Sequence, residues 1–344
     1  MRIVIEQATD NFEAMRAFKS DEPPDLMDSG GWALFHRQGL FIDLTSYVEE
    51  ERLADELNAG VMRIARTDGR LPGLPIEVSV PLIMINKRLF DRADLPYPGE
   101  DWAWDYFAEL AGKLTMRDAD GIVRQCGYGT GIDIEHFQPY VFRNGGRYVA
   151  PDGSTARGYV DSEETIEAIG KMVALYRVQR GAVMAGTEPC EFSWPNDIAI
   201  HYAYTWQAAD FIGRGLADDF MPVGLPRMPG GEKSNMIYMG GVGVTTKSPN
   251  PRLAWQFARH YVLERPDRFI QPRDLPVTRS QAVLSGMAEH PIWSRYLQEL
   301  DDVVASGHSE KWSSSRQLIN EELIRMIRNG TDVRQLMKGW TRFA

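Results

Sequence analysis

Cysteine is scarce in this chain, and its scarcity excludes several kinds of site. Cys126 and Cys190 are the only two cysteines, they lie far apart, and neither belongs to a CxxC pair. A disulfide framework and a cysteine-based zinc site are therefore not expected, although a single bridge between the two stays open. Long apolar runs are also missing. Val80–Ile85 is typical of the longest, far short of the about 20 residues that a membrane-spanning helix needs.

The chain has fewer positively than negatively charged residues. Lys and Arg total 38 against 48 Asp and Glu, a net charge of −10 over 344 residues. A nucleic-acid-binding protein normally carries a basic face, so this balance argues against that class. The length predicts about two domains. The N-terminal MRIVIEQATDNF lacks the apolar core of about 7–15 residues that a signal peptide contains.

Catalytic and cofactor motifs are absent as well. GxSxG, HExxH and GxxxxGK[ST] do not occur, and the six histidines share no metal-ligand spacing. Residues 118–121 (DADG) resemble the start of a calcium loop, but its twelfth position is Gly129 instead of Glu, so we predict a polar turn. Gly240 begins a GGVG stretch without the GxGxxG spacing of a dinucleotide site. We therefore predict no catalytic motif, no metal site and no cofactor.

Two carboxylates leave one enzymatic interpretation open. Asp133 and Glu135 lie in a polar stretch, GIDIEH, which we predict to be a loop. Such a pair can serve as the acid and base of a glycoside hydrolase or lyase. The same pair can instead hydrogen-bond the hydroxyls of a ligand or face solvent.

Strand-like runs alternate with helical patterns, which is typical of an α/β protein. Residues 2–6 (RIVIE) are predicted to form a strand and residues 10–18 a helix. Residues 77–85 read as a strand interrupted by Pro81, which indicates an edge, a bulge or a crossing between sheets. Asp101 is expected to cap one helix, Asp161 or Ser162 the next.

The inner faces of these helices follow from their apolar spacing. The helix after Asp101 is predicted to bury Trp104, Phe107, Leu110, Ala111 and Leu114, and the next one Ile166, Ile169, Met172, Val173 and Tyr176. Asn250-Pro251 indicates the start of a further helix, and Asn329-Gly330 the left-handed end of a helix over 317–328.

Aromatic residues in predicted loops are the main positive signal. Apolar rings beside Asp, Asn, Ser and His suit a sugar, because its C–H faces stack on a ring while its hydroxyls need directional partners. The aromatic candidates for ligand contact are Trp32, Trp194, Tyr204, Trp206, Tyr238 and Trp312.

The order of several motifs resembles the family 1 extracellular solute-binding proteins of ABC importers. The resemblance runs from about residue 20 to the C-terminus. The matching segments are Pro24-Asp25-Leu26, Gly39-Leu40, Asp43-Leu44, Ile85-Asn86-Lys87 with Leu89-Phe90, Asp101-Trp102-Ala103-Trp104-Asp105, Ala111 through Thr115, Asn144-Gly145-Gly146, Gly240-Gly241, Ser248-Pro249-Asn250 with Ala254-Trp255, and Leu275-Pro276-Val277-Thr278.

This resemblance implies a two-lobed periplasmic-binding-protein fold, type II-like, with a hinge of crossing segments and the ligand between the lobes. The chain would cross near 78–82, 239–243 and 273–277. The N-terminal lobe would comprise 1–80 plus 242–274, and the C-terminal lobe 81–241 plus 275–344. Hinge segments absorb backbone rotations at a few element ends, and Pro81, Gly240 and Pro276 fall in the three windows.

The resemblance also assigns ligand contacts. Trp206 takes the place of a sugar-stacking Trp, seven residues after Ala199. Ser79 lies at the first crossing, where relatives can present a carboxylate. The other contacts that it implies are Asp28 and Ser29 after the first motif, Asp133, Glu135 and His136 before the NGG motif, Gly240 at the second crossing, and Trp312 near the C-terminus.

The implied function is capture of a mono- or oligosaccharide and its delivery to an ABC permease, by a monomer that is periplasmic or extracellular and membrane-associated. A sensory binding protein and the glycoside hydrolase or lyase are the alternatives. Residues 1–6 match what is usually the family's second strand. The family usually has an export signal and one more strand–helix unit before this strand. Their absence from the sequence would follow either from a start at an internal Met or from an unusually short member of the family.

Overall fold

The computed structural model describes residues 3–8, 11–29, 38–183, 188–265, 267, 272–307 and 309–344. The chain forms two compact units. The first comprises Met1–Ser79 and Ile237–Asp301, and the second comprises Val80–Met236 and Asp302–Ala344. Among the described residues, none of the helices has both the length and the apolarity that crossing a membrane requires.

The first unit is built on a three-stranded sheet in the order β1-β8-β2, with both outer strands antiparallel to β8. Its strands are β1 (Leu26–Ser29), β2 (Leu74–Ser79) and β8 (Tyr238–Val244). Its helices are α1 (Asn11–Lys19), α2 (Thr45–Glu50), α3 (Ala59–Ala65), α9 (Pro251–Leu263), α10 (Arg279–Leu284) and α11 (Trp293–Glu299), followed by a 3₁₀ turn at Leu300–Asp302.

The second unit is built on a five-stranded sheet in the order β4-β5-β6-β3-β7, in which β5 and β6 are parallel. Its strands are β3 (Leu82–Asn86), β4 (Met116–Arg117), β5 (Val123–Gly129), β6 (Ile198–Ala203) and β7 (Phe220–Val223). Its helices are α4 (Lys87–Arg92), α5 (Trp104–Lys113), α6 (Ile134–Arg143), α7 (Glu163–Arg177), α8 (Thr205–Gly213), α12 (Glu310–Ser314), α13 (Arg316–Asn329) and α14 (Val333–Trp340), with a 3₁₀ turn at Thr341–Phe343.

The observed grouping differs from the predicted division of the chain. The first passage between units follows Ser79, inside the predicted 78–82 window, but the others follow Met236 and Asp301, outside the two later windows. Residues 237–241 join the first unit because β8 begins at Tyr238 and pairs with β1 and β2. Residues 275–301 join it because backbone bridges tie Leu275 to β2 and Thr278 to Leu57.

Helix faces were predicted well, whereas two local assignments were wrong. Every residue predicted for the inner faces of α5 and α7 is buried. Ser162 caps α7 by accepting a hydrogen bond from the Thr165 amide, and Gly330 ends α13 with a left-handed φ of 72°. Asp101 caps nothing, because α5 begins after Ala103, which makes no side-chain cap.

Residues 3–6, predicted as part of a strand, have no regular secondary structure and pair with no described strand. Val4 is 67% and Ile5 87% exposed. Strand preference of β-branched residues reflects packing on a pleated surface, and here no such surface covers them. Pro81, in contrast, separates β2 from β3, which belong to different sheets, so it marks the predicted crossing between sheets.

One buried amide joins the chain near all three passages between units. Asn235 is fully buried, its Nδ2 donates to the Pro81 carbonyl (2.9 Å), and its Oδ1 accepts from the Met236 amide (2.8 Å). Its backbone N–H donates to the Asp302 carbonyl, and its carbonyl accepts from Val304. One side chain and its backbone thus hold together segments from three parts of the second unit.

Replacement of Asn235 by alanine is expected to lower the free energy of unfolding by about 1–2 kcal/mol, because buried groups at Pro81 and Met236 lose their partner. Urea unfolding followed by circular dichroism measures this loss. Asn196→Ala is the control, since Asn196 is exposed and its side chain makes only a 3.4 Å contact with Arg88. Equal stabilities of the two variants would contradict the expected role.

Candidate functional site

An aromatic group lies at the C-terminal end of β6 in the second unit. Tyr204 directly follows the strand, and Trp206 stands in the first turn of α8. The two rings stack with centroids 4.4 Å apart and planes 17° apart. Tyr204 is buried, whereas Trp206 is 37% exposed. The predicted loop is therefore the start of a helix. The exposed indole of Trp206 stacks on the buried ring of Tyr204.

Hydrogen bonds fix the Tyr204 ring that lies beneath the Trp206 indole. The Tyr202 hydroxyl donates to that of Tyr204 (3.1 Å), which in turn donates to Met236 Sδ (3.7 Å). The Tyr204 backbone N–H donates to Gln207 Oε1 (2.7 Å) and so begins α8. Burial raises the pKa of Tyr202 well above its usual value, so this ring stays neutral. The indole is preorganised because its support is already packed and hydrogen-bonded.

His136 belongs to the same group of side chains. Its ring centroid lies 5.4 Å from that of Tyr202 and 6.1 Å from that of Tyr204. Its Nδ1 lies 3.1 Å from the Gly131 carbonyl and 3.3 Å from Thr130 Oγ1. The half-buried imidazole thus adds a polar edge beside the stacked rings.

Asp133 and Glu135 occupy the start of a helix, contrary to the predicted loop. Asp133 is the N-cap of α6 and accepts a hydrogen bond from the Glu135 amide (2.9 Å). Arg316 binds both carboxylates, with its Nη2 2.9 Å from Asp133 and its Nη1 2.7 Å from Glu135. Asn320 Nδ2 donates to Asp133 (2.8 Å), and Asn320 Oδ1 accepts from the Ile134 amide.

These contacts do not support an acid–base pair. Burial alone raises the pKa of Asp133, but hydrogen bonds from Arg316, the Glu135 amide and Asn320 together lower it below its usual value. A glycosidase acid needs a raised pKa, and here one guanidinium holds both carboxylates. The hydrolase interpretation is therefore unsupported by the geometry, and Asp133 serves the structure of α6.

Two of the other predicted aromatic contacts, Trp312 and Trp194, pack against rings other than Trp206. Trp312 is buried in α12 and stacks on Tyr148, with centroids 5.2 Å apart. The Tyr148 hydroxyl donates to the Ile134 carbonyl (2.8 Å), so this pair packs the start of α6.

Trp194 and Trp206 flank opposite ends of strand β6 in the sequence. Trp194 precedes β6 and Trp206 follows it, and six strand residues at about 3.3 Å each separate the two ends by roughly 20 Å. Trp194 is 42% exposed, packs against Phe211, and lies under the Arg214 guanidinium at 5.0 Å. Trp194 therefore packs toward the end of α8 and not against the Tyr204 ring beneath Trp206.

In the first unit, the predicted residues gather along β8. Asp28 pairs with Val242 and Ser29 with Gly241, while Ser79 pairs with Tyr238. Asp28 is exposed, Tyr238 is half-buried and Ser79 is buried. Gly240 lies between the two outer strands. Trp32 falls outside the described residues.

Sequence reasoning missed Glu77 on β2. Its φ is +53°, a left-handed value that costs a residue other than glycine about 1–2 kcal/mol. The register of β2 shifts between Ile76 and Ser79, so this residue lies in a bulge. Its side chain is exposed, and its Oε2 would lie 3.3 Å from a Cβ added to Gly240. The alternation of polar and apolar residues over Glu77-Val78-Ser79 is typical of a regular strand and does not indicate a bulge.

Metal chemistry finds no support in the part of the chain that the structure describes. No group of three or more His, Cys, Asp or Glu side chains is arranged there to hold an ion. Asp118 forms the predicted polar turn, with its Oδ1 accepting from the Asp120 and Ile122 amides.

Known structures share this fold at low sequence identity. The sugar-binding protein MalE of Xanthomonas citri matches with a TM-score of 0.79 at 17% identity, over 96% of this chain and 86% of that one. An ABC substrate-binding protein of Listeria monocytogenes, solved with cycloalternan, matches at 0.74 and 20%, over 96% and 86%. UgpB of Mycobacterium tuberculosis, solved with glycerophosphocholine, matches at 0.72 and 19%, over 98% and 88%.

The sequence profile described as bacterial extracellular solute-binding protein matches residues 6–264. The fold expected from the resemblance is thus confirmed, as is its class of function, extracellular solute binding. This chain belongs to the family of bacterial extracellular solute-binding proteins.

Proposed function

We propose that this protein captures a carbohydrate outside the cytoplasm and delivers it to an ABC importer. Trp206 is the observation that carries the choice of ligand. An exposed indole on a fixed aromatic base suits the C–H face of a sugar ring, and His136 adds a polar group beside that base. Several structurally similar proteins were solved with oligosaccharides or are named for binding them, which supports the same ligand class.

Reversible capture requires no covalent step. Ligand binding would shift the protein toward a liganded conformation, which the permease would then recognise. The protein would act as a monomer, in the periplasm or at the outer face of the membrane. The hydroxyls of the sugar would meet Asp28, Tyr238 and Glu77 in the first unit.

A thermal-shift screen against mono-, di- and oligosaccharides tests the proposal. Ligand at 100 times its dissociation constant adds about 2.7 kcal/mol of stability to the folded state, which gives a clear rise in melting temperature. Bound sugar recovered unchanged after incubation would separate capture from hydrolysis. Glycerophosphocholine belongs in the screen, and a shift with it alone would replace the carbohydrate assignment.

Two substitutions of Glu77 should have the same effect on ligand affinity but different effects on stability. Glu77→Ala and Glu77→Gly both remove the carboxylate, so both should bind the sugar found in the screen about tenfold more weakly, as expected for one hydrogen bond to a charged group. Only glycine relieves the left-handed backbone, so Glu77→Gly should be more stable than Glu77→Ala by about 1 kcal/mol. Calorimetric titration and urea unfolding measure the two effects.

The control for Glu77 is Glu56→Ala. Glu56 is an exposed carboxylate of the same unit that accepts from the Ser280 amide, away from β8. Its loss should leave the affinity unchanged. Unchanged affinity in both Glu77 variants would show that the bulge has no part in binding.

A further inference from the structure

The imidazole of His136 is held to the backbone through one of its two ring nitrogens. Its Nδ1 lies 3.1 Å from the Gly131 carbonyl oxygen and 3.3 Å from Thr130 Oγ1. A carbonyl oxygen can only accept a hydrogen bond, so we assign the proton to Nδ1. In a neutral imidazole only one ring nitrogen carries a proton. The other nitrogen, Nε2, is therefore a hydrogen-bond acceptor.

Gly131 makes this contact possible. A Cβ at Gly131 would lie 3.2 Å from Cε1 and 3.3 Å from Nδ1 of His136, so a side chain there would press on the ring. Glycine lets the imidazole approach the backbone closely. The His136 amide donates to the Asp133 carbonyl (3.0 Å) at the start of α6, which fixes the point from which the side chain begins. The ring and its proton are thus oriented before a ligand binds.

The two phenol hydroxyls beside the imidazole already use their protons. The His136 ring centroid lies 5.4 Å from that of Tyr202 and 6.1 Å from that of Tyr204. The Tyr202 hydroxyl donates to that of Tyr204, and the Tyr204 hydroxyl donates to Met236 Sδ. Burial raises the pKa of Tyr202 well above its usual value, so its proton stays in place. What this group of side chains offers a ligand through His136 is therefore an acceptor.

The exposed indole and the imidazole lie beside the same ring, that of Tyr204. Their centroids lie 4.4 Å and 6.1 Å from its centroid, so they are no more than about 10.5 Å from each other. Trp206 is 37% exposed and His136 is half-buried, so both are open in part to a ligand. A sugar that stacks on the indole directs its hydroxyls outward from the edge of its ring, because C–H bonds cover the stacked face. One of these hydroxyls can then point toward the imidazole.

Resting on the proposed function, we infer that Nε2 of His136 accepts a hydrogen bond from one hydroxyl of the sugar ring that stacks on Trp206. This contact requires a hydroxyl that still carries its proton. A ring that lacks this hydroxyl, or whose oxygen here is methylated or joined to another sugar, leaves the acceptor without a partner. The protein therefore selects sugars in which this one position is free, and any glycosidic bond of the stacked ring starts from another position.

Calorimetric titration tests this with glucose, galactose, mannose and xylose and with their monodeoxy and deoxyfluoro derivatives. The titrations are made at pH 8, above the range in which histidine side chains usually become charged. Fluorine bound to carbon can accept a hydrogen bond weakly but cannot donate one. For a sugar that binds, one ring position should therefore be distinctive. Its deoxy and its fluoro derivative should both bind about five- to tenfold more weakly than the parent sugar, and equally so.

Substitution of His136 identifies the partner of that hydroxyl. His136→Phe keeps a ring beside Tyr202 and Tyr204 but has no acceptor, so it should bind the parent sugar about five- to tenfold more weakly and no longer distinguish it from the deoxy derivative. His136→Gln, whose side-chain carbonyl can accept, should recover part of this discrimination. His260→Phe is the control, because His260 is an exposed histidine of α9 that pairs with Glu264 (3.1 Å), and its loss should change neither value. Melting temperatures report on whether each variant folds.

Three results would overturn the role of His136 and leave carbohydrate capture standing. The first is discrimination that persists in both His136 variants, because another group then accepts the hydroxyl. The second is a deoxy or a fluoro derivative that binds as tightly as its parent at every position, since no hydroxyl would then need to donate. The third is binding of an oligosaccharide without binding of any of the four monosaccharides, because the stacked ring and its hydroxyl are complete in a monosaccharide. Absence of binding by every sugar of the thermal screen removes the proposed function, and the inference falls with it.

Discussion

Trp206→Ala is expected to weaken carbohydrate binding by about ten- to hundredfold and to leave the fold intact. Covering an aromatic side chain contributes about 1.5–3 kcal/mol, which corresponds to roughly ten- to hundredfold in affinity. The indole is 37% exposed in the first turn of α8, so its removal opens no cavity in the core. Calorimetric titration gives the affinity, and the melting temperature reports on the fold.

Trp194→Ala is the matched control for this experiment. Its indole is similarly exposed, at 42%, and also lies near α8, but at the opposite end of β6. A general loss of aromatic surface would affect both variants equally, whereas stacking on the ligand affects Trp206 alone. Trp206→Phe should recover part of the affinity, because a smaller ring still stacks. Unchanged binding in Trp206→Ala would remove the stacking role.

Helix faces could be predicted because the information is local. The apolar residues of α7 repeat at helical spacing, and Ser162 stands where a cap is needed, so the sequence alone determines which side turns inward. The same holds for the start of α9 at Pro251 and the end of α13 at Gly330. Nothing distant in the chain is needed to decide these features.

The candidate site could be predicted only in part, because burial depends on distant partners. Trp194 and Trp312 resemble Trp206 in their local sequence, yet Tyr148 covers Trp312 and the length of β6 removes Trp194 from the group. The bulge at Glu77 depends on its register against β8, which its own neighbours do not encode.

Asp133→Ala is expected to lower the free energy of unfolding by about 2–4 kcal/mol. We expect it to affect stability more than ligand binding. Asp133 and Arg316 are 183 positions apart, so no local pattern indicated that this predicted ligand residue holds α6 to α13. The variant loses a helix cap worth about 1 kcal/mol and leaves the Arg316 guanidinium and the Asn320 amide without one acceptor. Asp332→Ala, which removes the exposed cap of α14, should cost only about 1 kcal/mol.

The pH dependence of stability distinguishes the ion pair from the cap. The pKa of Asp133 is lower in the folded protein than its ordinary value: burial raises it, but the hydrogen bonds and charge of Arg316, with the hydrogen bonds from the Glu135 amide and Asn320, together outweigh burial. A lowered folded pKa means that the unfolded chain binds the proton more readily, so the stabilisation is complete above the unfolded pKa, near 4, and disappears as the pH falls through the folded value. Asp133→Asn keeps a capping oxygen but has no charge to titrate, so its loss of stability relative to the unmodified protein should be largest near pH 7 and shrink below about pH 4. Urea unfolding at pH 7, 5 and 3.5 measures this difference, and a difference that stays constant over this range would show that Arg316 contributes nothing through charge.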